Sequence, residues 1–238
     1  MMQSDQQAYD RGTSIFSPDG RLYQVEYARE AVARGSPVVG VETTDGVVFA
    51  ADSRTPSPLL ANDSVEKLHD LDGRLAAASA GHVADARRLV DYARRYTQEE
   101  RLRYGEPPGV EPVATAVADH VQETTQSGGT RPFGTALLLG GVDPEPRLYE
   151  LDPSGLTRRW RATAIGGDSE AIRASLEATY EANLDGDEGV RIALQALADA
   201  RDEEWSGGSV DIGVIDSSGI DRFDSQRCAQ ALVDAGLT

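Results

Sequence analysis

Apolar positions recur along the chain with two different periods, and the changes of period divide it into elements. Ser17-Pro18-Asp19-Gly20 is a turn signature with proline preset at its second position, and Leu22, Val25, Arg29 and Val32 then follow at three-to-four spacing. They predict a short helix ending near Ala33. Apolar runs from Pro37 to Val41 and from Val47 to Ala51 flank Thr43-Thr44-Asp45-Gly46 and predict a hairpin. A second hairpin is expected from Val65 to Asp70 and from Leu75 to Ser79, turned at Leu71-Asp72-Gly73. Helical spacing returns between Val83 and Arg103, where Leu89, Tyr92, Ala93 and Tyr96 share a face, and stops before Gly105 and two prolines. A second helix is expected from Pro112 to Gln126. Three strands follow, from Gly134 to Val142, Leu148 to Leu151 and Leu156 to Ile165, with a turn at Asp152-Pro153-Ser154-Gly155. Two helices, Ser169 to Leu184 and Glu188 to Glu203, precede a hairpin of Val210 to Ile215 and Gly219 to Phe223, and a last helix runs from Ser225 to Ala235.

Hairpins in sets, with helices arriving in pairs between them, do not fit an alternating parallel βαβ fold. They fit antiparallel sheets covered by helices. So many hairpin strands with helix pairs on both sides require stacked sheets, which predicts an α+β fold, a four-layer α-β-β-α sandwich. No repeat or linker divides the chain, so residues 1–238 read as one domain, with residues 1–12 a polar, unpatterned and mobile N-terminal arm.

Composition narrows the chemistry. With 238 residues, 39% of them apolar, and a mean hydropathy of -0.41, the chain has material for a sizeable core. Its net charge of -17 argues against nucleic acid or an anionic membrane as partner, because both need clustered positive charge. There is no apolar run of membrane-spanning length and no signal-peptide pattern, which points to the cytoplasm. One cysteine, Cys228, excludes an internal disulfide framework, and His69, His82 and His120 are scattered, so no metal or cofactor is expected.

Familiar catalytic signatures are missing: no nucleophile elbow, no His-Glu-x-x-His and no phosphate-binding Gly-Lys loop. Gly166-Gly167-Asp168-Ser169 offers free N–H groups to a phosphate or simply a turn and helix cap; no basic residue precedes Arg173. Asn183 to Glu188 is acidic but lacks the ligand spacing of a calcium loop, and reads as a turn between helices. Lys67 stands out as the only lysine among 23 basic residues, a compact charge with three donors in place of a planar fork.

Larger blocks carry a resemblance. The run Tyr9 to Ala28 (YDRGTSIFSPDGRLYQVEYA) is similar to the N-terminal signature of α-type subunits of the proteasome core particle, archaeal ones in particular. The likeness continues through Gly46 to Asp52, Gly81 to Arg87, Tyr104 to Pro107, Gly128 to Gly134 and Tyr149 to Gly155, and so covers nearly the whole chain. It implies the N-terminal-nucleophile hydrolase fold used architecturally: a seven-membered ring, homomeric or mixed, that caps a ring of catalytic β subunits and admits unfolded polypeptide. Catalysis in such enzymes needs an exposed N-terminal nucleophile. Ser36, Asp52 and Lys67 occupy the corresponding positions here, but a structured signature precedes Ser36 and Pro37 follows it, so no catalytic residue is expected.

The resemblance also implies roles for individual residues. Met1 to Ala8 would form the gate, with Tyr9, Asp10, Pro18 and Tyr27 holding neighbouring arms open. Lys67 would pair with the C-terminal carboxylate of an activating ATPase, in a pocket where Gly35 and Gly81 allow the tail close approach. His82 stands where the family usually has an aliphatic residue. Ser127, Gly128, Gly129 and Thr130 would line the narrow annulus below the gate, or the glycines serve only as a helix cap.

An acidic, lysine-poor surface suits concentrated salt, where carboxylates hold water and their repulsion is screened. Diluting KCl is expected to unfold the chain, followed by far-UV circular dichroism; a native spectrum retained at low salt refutes this.

Overall fold

The computed structural model describes residues 16–55, 57, 59–60, 66–200 and 205–237. Tyr9, Asp10 and the arm of residues 1–12 lie outside the described residues. Ser17 to Gly20 form the expected turn: the Gly20 N–H donates to the Ser17 carbonyl at 2.8 Å, the Arg21 N–H donates to the Ser17 hydroxyl at 3.1 Å, and Gly20 has φ +74°. Helix α1 (Tyr23–Ala33) follows, burying Val25 and Ala28.

The described strands form two antiparallel sheets of five. The first contains β1 (Val38–Glu42), β2 (Gly46–Asp52), β8 (Ala162–Ile165), β9 (Val210–Asp216) and β10 (Gly219–Arg222), in the order β10-β9-β2-β1-β8. The second contains β3 (Leu68–Asp70), β4 (Leu75–Gly81), β5 (Thr135–Val142), β6 (Pro146–Leu151) and β7 (Thr157–Trp160), in sequence order. Helices α2 (Val83–Tyr104) and α3 (Val110–Gln126) cover the second sheet; α4 (Ser169–Thr179), α5 (Gly186–Asp199) and α6 (Ser225–Asp234) cover the first.

Alternation along the strands builds three apolar layers. On β2, Val47, Phe49 and Ala51 enter the core between the sheets, while Val48 and Ala50 meet the helices above Val39, Val41 and Ile192. On β5, Leu138 faces the other sheet, while Leu137 and Leu139 face α2 and α3. Both faces of these strands are buried, which explains why they read as continuous apolar runs. The four-layer α-β-β-α sandwich is the architecture expected from the sequence.

Three boundaries differ from expectation. The run from Leu156 to Ile165 is two strands in different sheets, because the chain crosses from β7 to β8 at Arg161, whose carbonyl accepts the Glu42 N–H at 2.6 Å. The helix expected to reach Leu184 stops at Thr179: Tyr180 is extended and Asn183 left-handed at φ +74°, which turns Leu184 into the core. The acidic stretch then starts α5, with the Asp185 carboxylate accepting the Glu188 N–H and Glu188 reaching back to the Asp185 N–H, a reciprocal capping box. Val65 and residues 201–204 are outside the described residues, and regular pairing of β3 begins at Leu68.

Replacing Phe49 by alanine empties the core between the sheets and is expected to cost about 3–5 kcal/mol. Chemical denaturation at constant salt measures it.

Candidate functional site

At one end of the sandwich, backbone meets backbone with no side chain between. A Cβ on Gly35, just beyond α1, would lie 2.4 Å from the Gly81 nitrogen, and one on Gly81 would lie 2.4 Å from the Gly134 carbonyl oxygen. Gly81 also has φ +109°, which disfavours any side chain. The Gly167 N–H donates to the Gly35 carbonyl at 2.7 Å, and the His82 N–H donates to the Gly134 carbonyl at 2.8 Å. Helix α1 is thereby fixed over the ends of β4 and β5, and Val32 packs against the core between the sheets. Gly35 and Gly81 are glycine because the chain itself fills the space beside them. Ser36, the position that would bear a nucleophile, is an internal residue of this junction.

Lys67 sits near the same end. Its carbonyl accepts the Ser79 N–H at 3.1 Å, which sets it opposite a residue two positions before Gly81. It is only 8% exposed, although it carries a charge. Burial pulls its pKa below the usual lysine value, and the negative charges of Asp52 and Asp211 oppose that shift. Asp52, 1% exposed, is gripped by Arg54: Nε donates to Oδ1 at 2.9 Å and Nη2 to Oδ2 at 2.7 Å. The Arg54 guanidinium in turn stacks over the Trp205 ring at 4.7 Å. Burial pushes the Asp211 carboxyl up, while a hydrogen bond from Ser53 and the charges of Arg222 and Lys67 draw it down.

Beside Lys67, His69 is buried, with Nε2 at 3.2 Å from the Ser79 hydroxyl and Nδ1 at 3.5 Å from Glu66. Burial, chiefly, lowers its pKa. His82 precedes α2 with an exposed ring.

The segment Ser127–Thr130 is an exposed turn after α3. The Thr130 hydroxyl donates to the carbonyls of Thr124 and Ser127, Gly129 has φ +83°, and space beside both glycines is open. Its base is clamped by a residue the sequence reading did not single out. Asp85, 4% exposed in the first turn of α2, accepts from both terminal nitrogens of Arg131, at 2.6 and 2.8 Å, and from the Gly134 N–H at 2.8 Å. Burial alone would raise its pKa; the Arg131 guanidinium and the Gly134 N–H outweigh burial and hold it below the usual carboxylate value. The spacing between Asp85 and Arg-Pro-Phe-Gly gave no local signal of this contact. Asp211, likewise unremarked, is legible only as a charge among the apolar residues of β9.

Of the four residues expected to set the N-terminal arms, two are described: Pro18 lies in the turn before α1 and Tyr27 is half exposed on that helix. A groove of about 410 Å³ lined by Glu42, Arg159, Trp160, Arg161 and Tyr180 lies at the other end of β1, away from Gly35. Gly166 and Gly167 belong to the glycine junction, and Asp168 takes the N-cap position of α4 in left-handed conformation. No cluster of ligating side chains suited to a metal ion occurs among the described residues. Nor is any described helix long and apolar enough to cross a membrane.

Comparison with known proteins assigns both parts of the chain. Residues 9–31 match the N-terminal signature of A-type proteasome subunits, and residues 32–215 match the proteasome subunit family. The chain is 53% identical over 236 residues to the proteasome alpha 2 subunit of Haloferax volcanii, covering 99% of this chain and 94% of the relative. The proteasome alpha subunit of Halobacterium salinarum is 56% identical over 216 residues, covering 90% and 85%. The proteasome alpha 1 subunit of Haloarcula marismortui is 56% identical over 215 residues, covering 90% and 83%.

Asp85→Asn is expected to lower stability by roughly 1–2 kcal/mol at neutral pH, since Arg131 is partly solvated. Because the folded pKa is depressed, this contribution is complete above about pH 4 and fades as pH falls through the folded value. Denaturant titrations of both proteins across that range should therefore converge on the acid side.

Proposed function

The chain belongs to the proteasome α-subunit family, and from that premise we propose that it is a non-catalytic outer-ring subunit that gates substrate entry and docks an activating ATPase. The observation that carries this reading is α1 ahead of Ser36. An N-terminal nucleophile needs its own free α-amine as base. Here the Ser36 nitrogen is in a peptide bond, α1 packs on the strand ends before it, and the Asp52 and Lys67 positions are part of a buried charge cluster. The fold of a hydrolase is thus retained with its catalytic mouth plugged.

In this proposal the chain assembles with other α subunits into a seven-membered ring against the β subunits, and the turn at Ser127–Thr130 borders the passage for unfolded polypeptide. Its glycines keep bulk out of the bore. Tyr9, Asp10, Pro18 and Tyr27 set the arrangement of neighbouring N-terminal arms, Pro18 doing so by fixing the turn from which the arm departs. Lys67 receives the terminal carboxylate of the ATPase tail at the end of the sandwich near Gly35 and Gly81. A buried ammonium is a strong partner there, because burial weakens the screening of its charge by water.

Lys67→Ala is expected to abolish ATPase stimulation of peptide hydrolysis while size-exclusion chromatography still shows a ring of heptameric size. Retained stimulation refutes the docking role, and a monomeric elution of the wild-type chain refutes the ring.

A further inference from the structure

Two of the places where the fold departs from its local pattern meet in one groove. The chain leaves one sheet for the other at Arg161, between β7 and β8, and α4 stops early at Thr179, so that Tyr180 runs extended and Asn183 turns left-handed at φ +74°. Arg161, Tyr180 and Asn183 all line the groove of about 410 Å³ at the Glu42 end of β1. Asn183 is one of two non-glycine residues with positive φ among those described, and such departures gather at sites with work beyond folding. A second hollow of about 250 Å³ adjoins the first and shares Trp160, Arg161 and Tyr180 with it. The larger volume suits a small molecule.

The chemistry of the walls selects the ligand. The chain as a whole carries 40 acidic residues against 23 basic ones, yet the larger groove presents two guanidiniums, Arg159 and Arg161, against the single carboxylate of Glu42. Arg159 reaches Glu42 only at 3.4 and 3.5 Å, the limit of a hydrogen bond. The Arg161 side chain is exposed, lines both hollows and makes no hydrogen bond or ion pair with a described residue. Its backbone, by contrast, is fixed, since its carbonyl accepts the Glu42 N–H at 2.6 Å. Two further donors stand beside it. The Tyr180 hydroxyl is 3.5 Å from the Glu42 carbonyl, and the buried indole N–H of Trp160 has no acceptor among the described residues. Arg173 is committed elsewhere: it donates to Glu150, Thr163 and the Ala164 carbonyl, and it lies over the Trp160 ring at 5.5 Å, which holds that ring in place.

We propose that this groove binds a small oxyanion, a molecule bearing a carboxylate or phosphate group, with Arg161 as its principal partner and Arg159 as the second. A planar fork meets two oxygens at once, and one that stands on a fixed backbone with no partner of its own has nothing to surrender on binding. Tyr180 adds a neutral donor beside the forks. The site lies at the opposite end of β1 from Gly35, so it neither needs nor tests the docking role of Lys67.

The test follows tryptophan fluorescence of the full-length chain at constant ionic strength in potassium chloride. The chain has two tryptophans, and Trp205→Phe leaves Trp160 as the reporter. Inorganic phosphate and citrate are titrated separately. A saturable change is expected with one or both, and the tighter of the two identifies the group. Arg161→Gln is expected to weaken binding roughly tenfold or more. Arg158→Gln removes an equal charge from an exposed neighbour outside both linings and should leave binding unchanged. No saturable response to either anion overturns the proposal. Undiminished binding in Arg161→Gln overturns it as well, and so does an equal loss in Arg158→Gln, which reports only the general field of the chain. Isothermal titration calorimetry of the chain with both tryptophans carries the same expectations where Trp205→Phe disturbs the fold, as does Arg159→Gln where Arg161→Gln disturbs the crossing between the sheets.

Discussion

The structure depends on a place where side chains are forbidden. Gly35, Gly81, Gly134 and Gly166 bring the ends of α1, β1, β4, β5 and β8 within backbone contact, and a methyl group at Gly35, Gly81 or Gly166 would overlap main-chain atoms. Because the approach is backbone to backbone, repacking side chains cannot relieve a substitution. The junction seats α1 over the open end of the sandwich, makes Ser36 internal, sets β4 so that Lys67 stands opposite Ser79, and presents Gly134 to Asp85. The internal position of Ser36, the placement of Lys67 and the anchoring of the Ser127–Thr130 turn all share this one geometric origin.

Most of the layer order was legible in the sequence because strand and helix periods announce themselves locally. The hairpins of β1–β2, β3–β4 and β9–β10, and the Gly105 stop of α2, follow from residues within a few positions of each other. What escaped was set by distant partners. The break at Arg161 exists because Glu42, far away in sequence, pairs with it, and nothing in Thr157 to Ile165 marks a change of sheet. The early end of α4 comes from the need to bury Leu184 and cap α5, which overrides the helical propensity of Glu181 and Ala182. At the site, Lys67 was visible as a compositional exception and the glycines as a motif. Asp85 and Asp211 were not, since a carboxylate reveals its function only through the partner that folding brings to it.

The uneven use of the two basic residues has a physical counterpart. Arginine forks hold fixed carboxylates at Asp52, Asp85 and Asp221, where two parallel bonds lock orientation. Lysine offers no such lock. Its single ammonium is a compact charge on a flexible stem, and the one lysine of the chain carries that charge into a buried position.

The strand crossing at Arg161 gives the two sheets a spine. Along that edge β7 and β8 are joined through one residue, whereas at the opposite edge β10 meets β3 through hydrogen bonds from Arg222, and the covalent path there is the long 53–67 connection. Two layers stitched tightly on one side and loosely on the other are bound like a book, with least room for travel at the spine and most at the fore-edge. Lys67 and Asp211 lie at the fore-edge. A force applied between the layers there would act with the greatest leverage, so that a small displacement at the fore-edge would turn one whole sheet, with its helices, against the other.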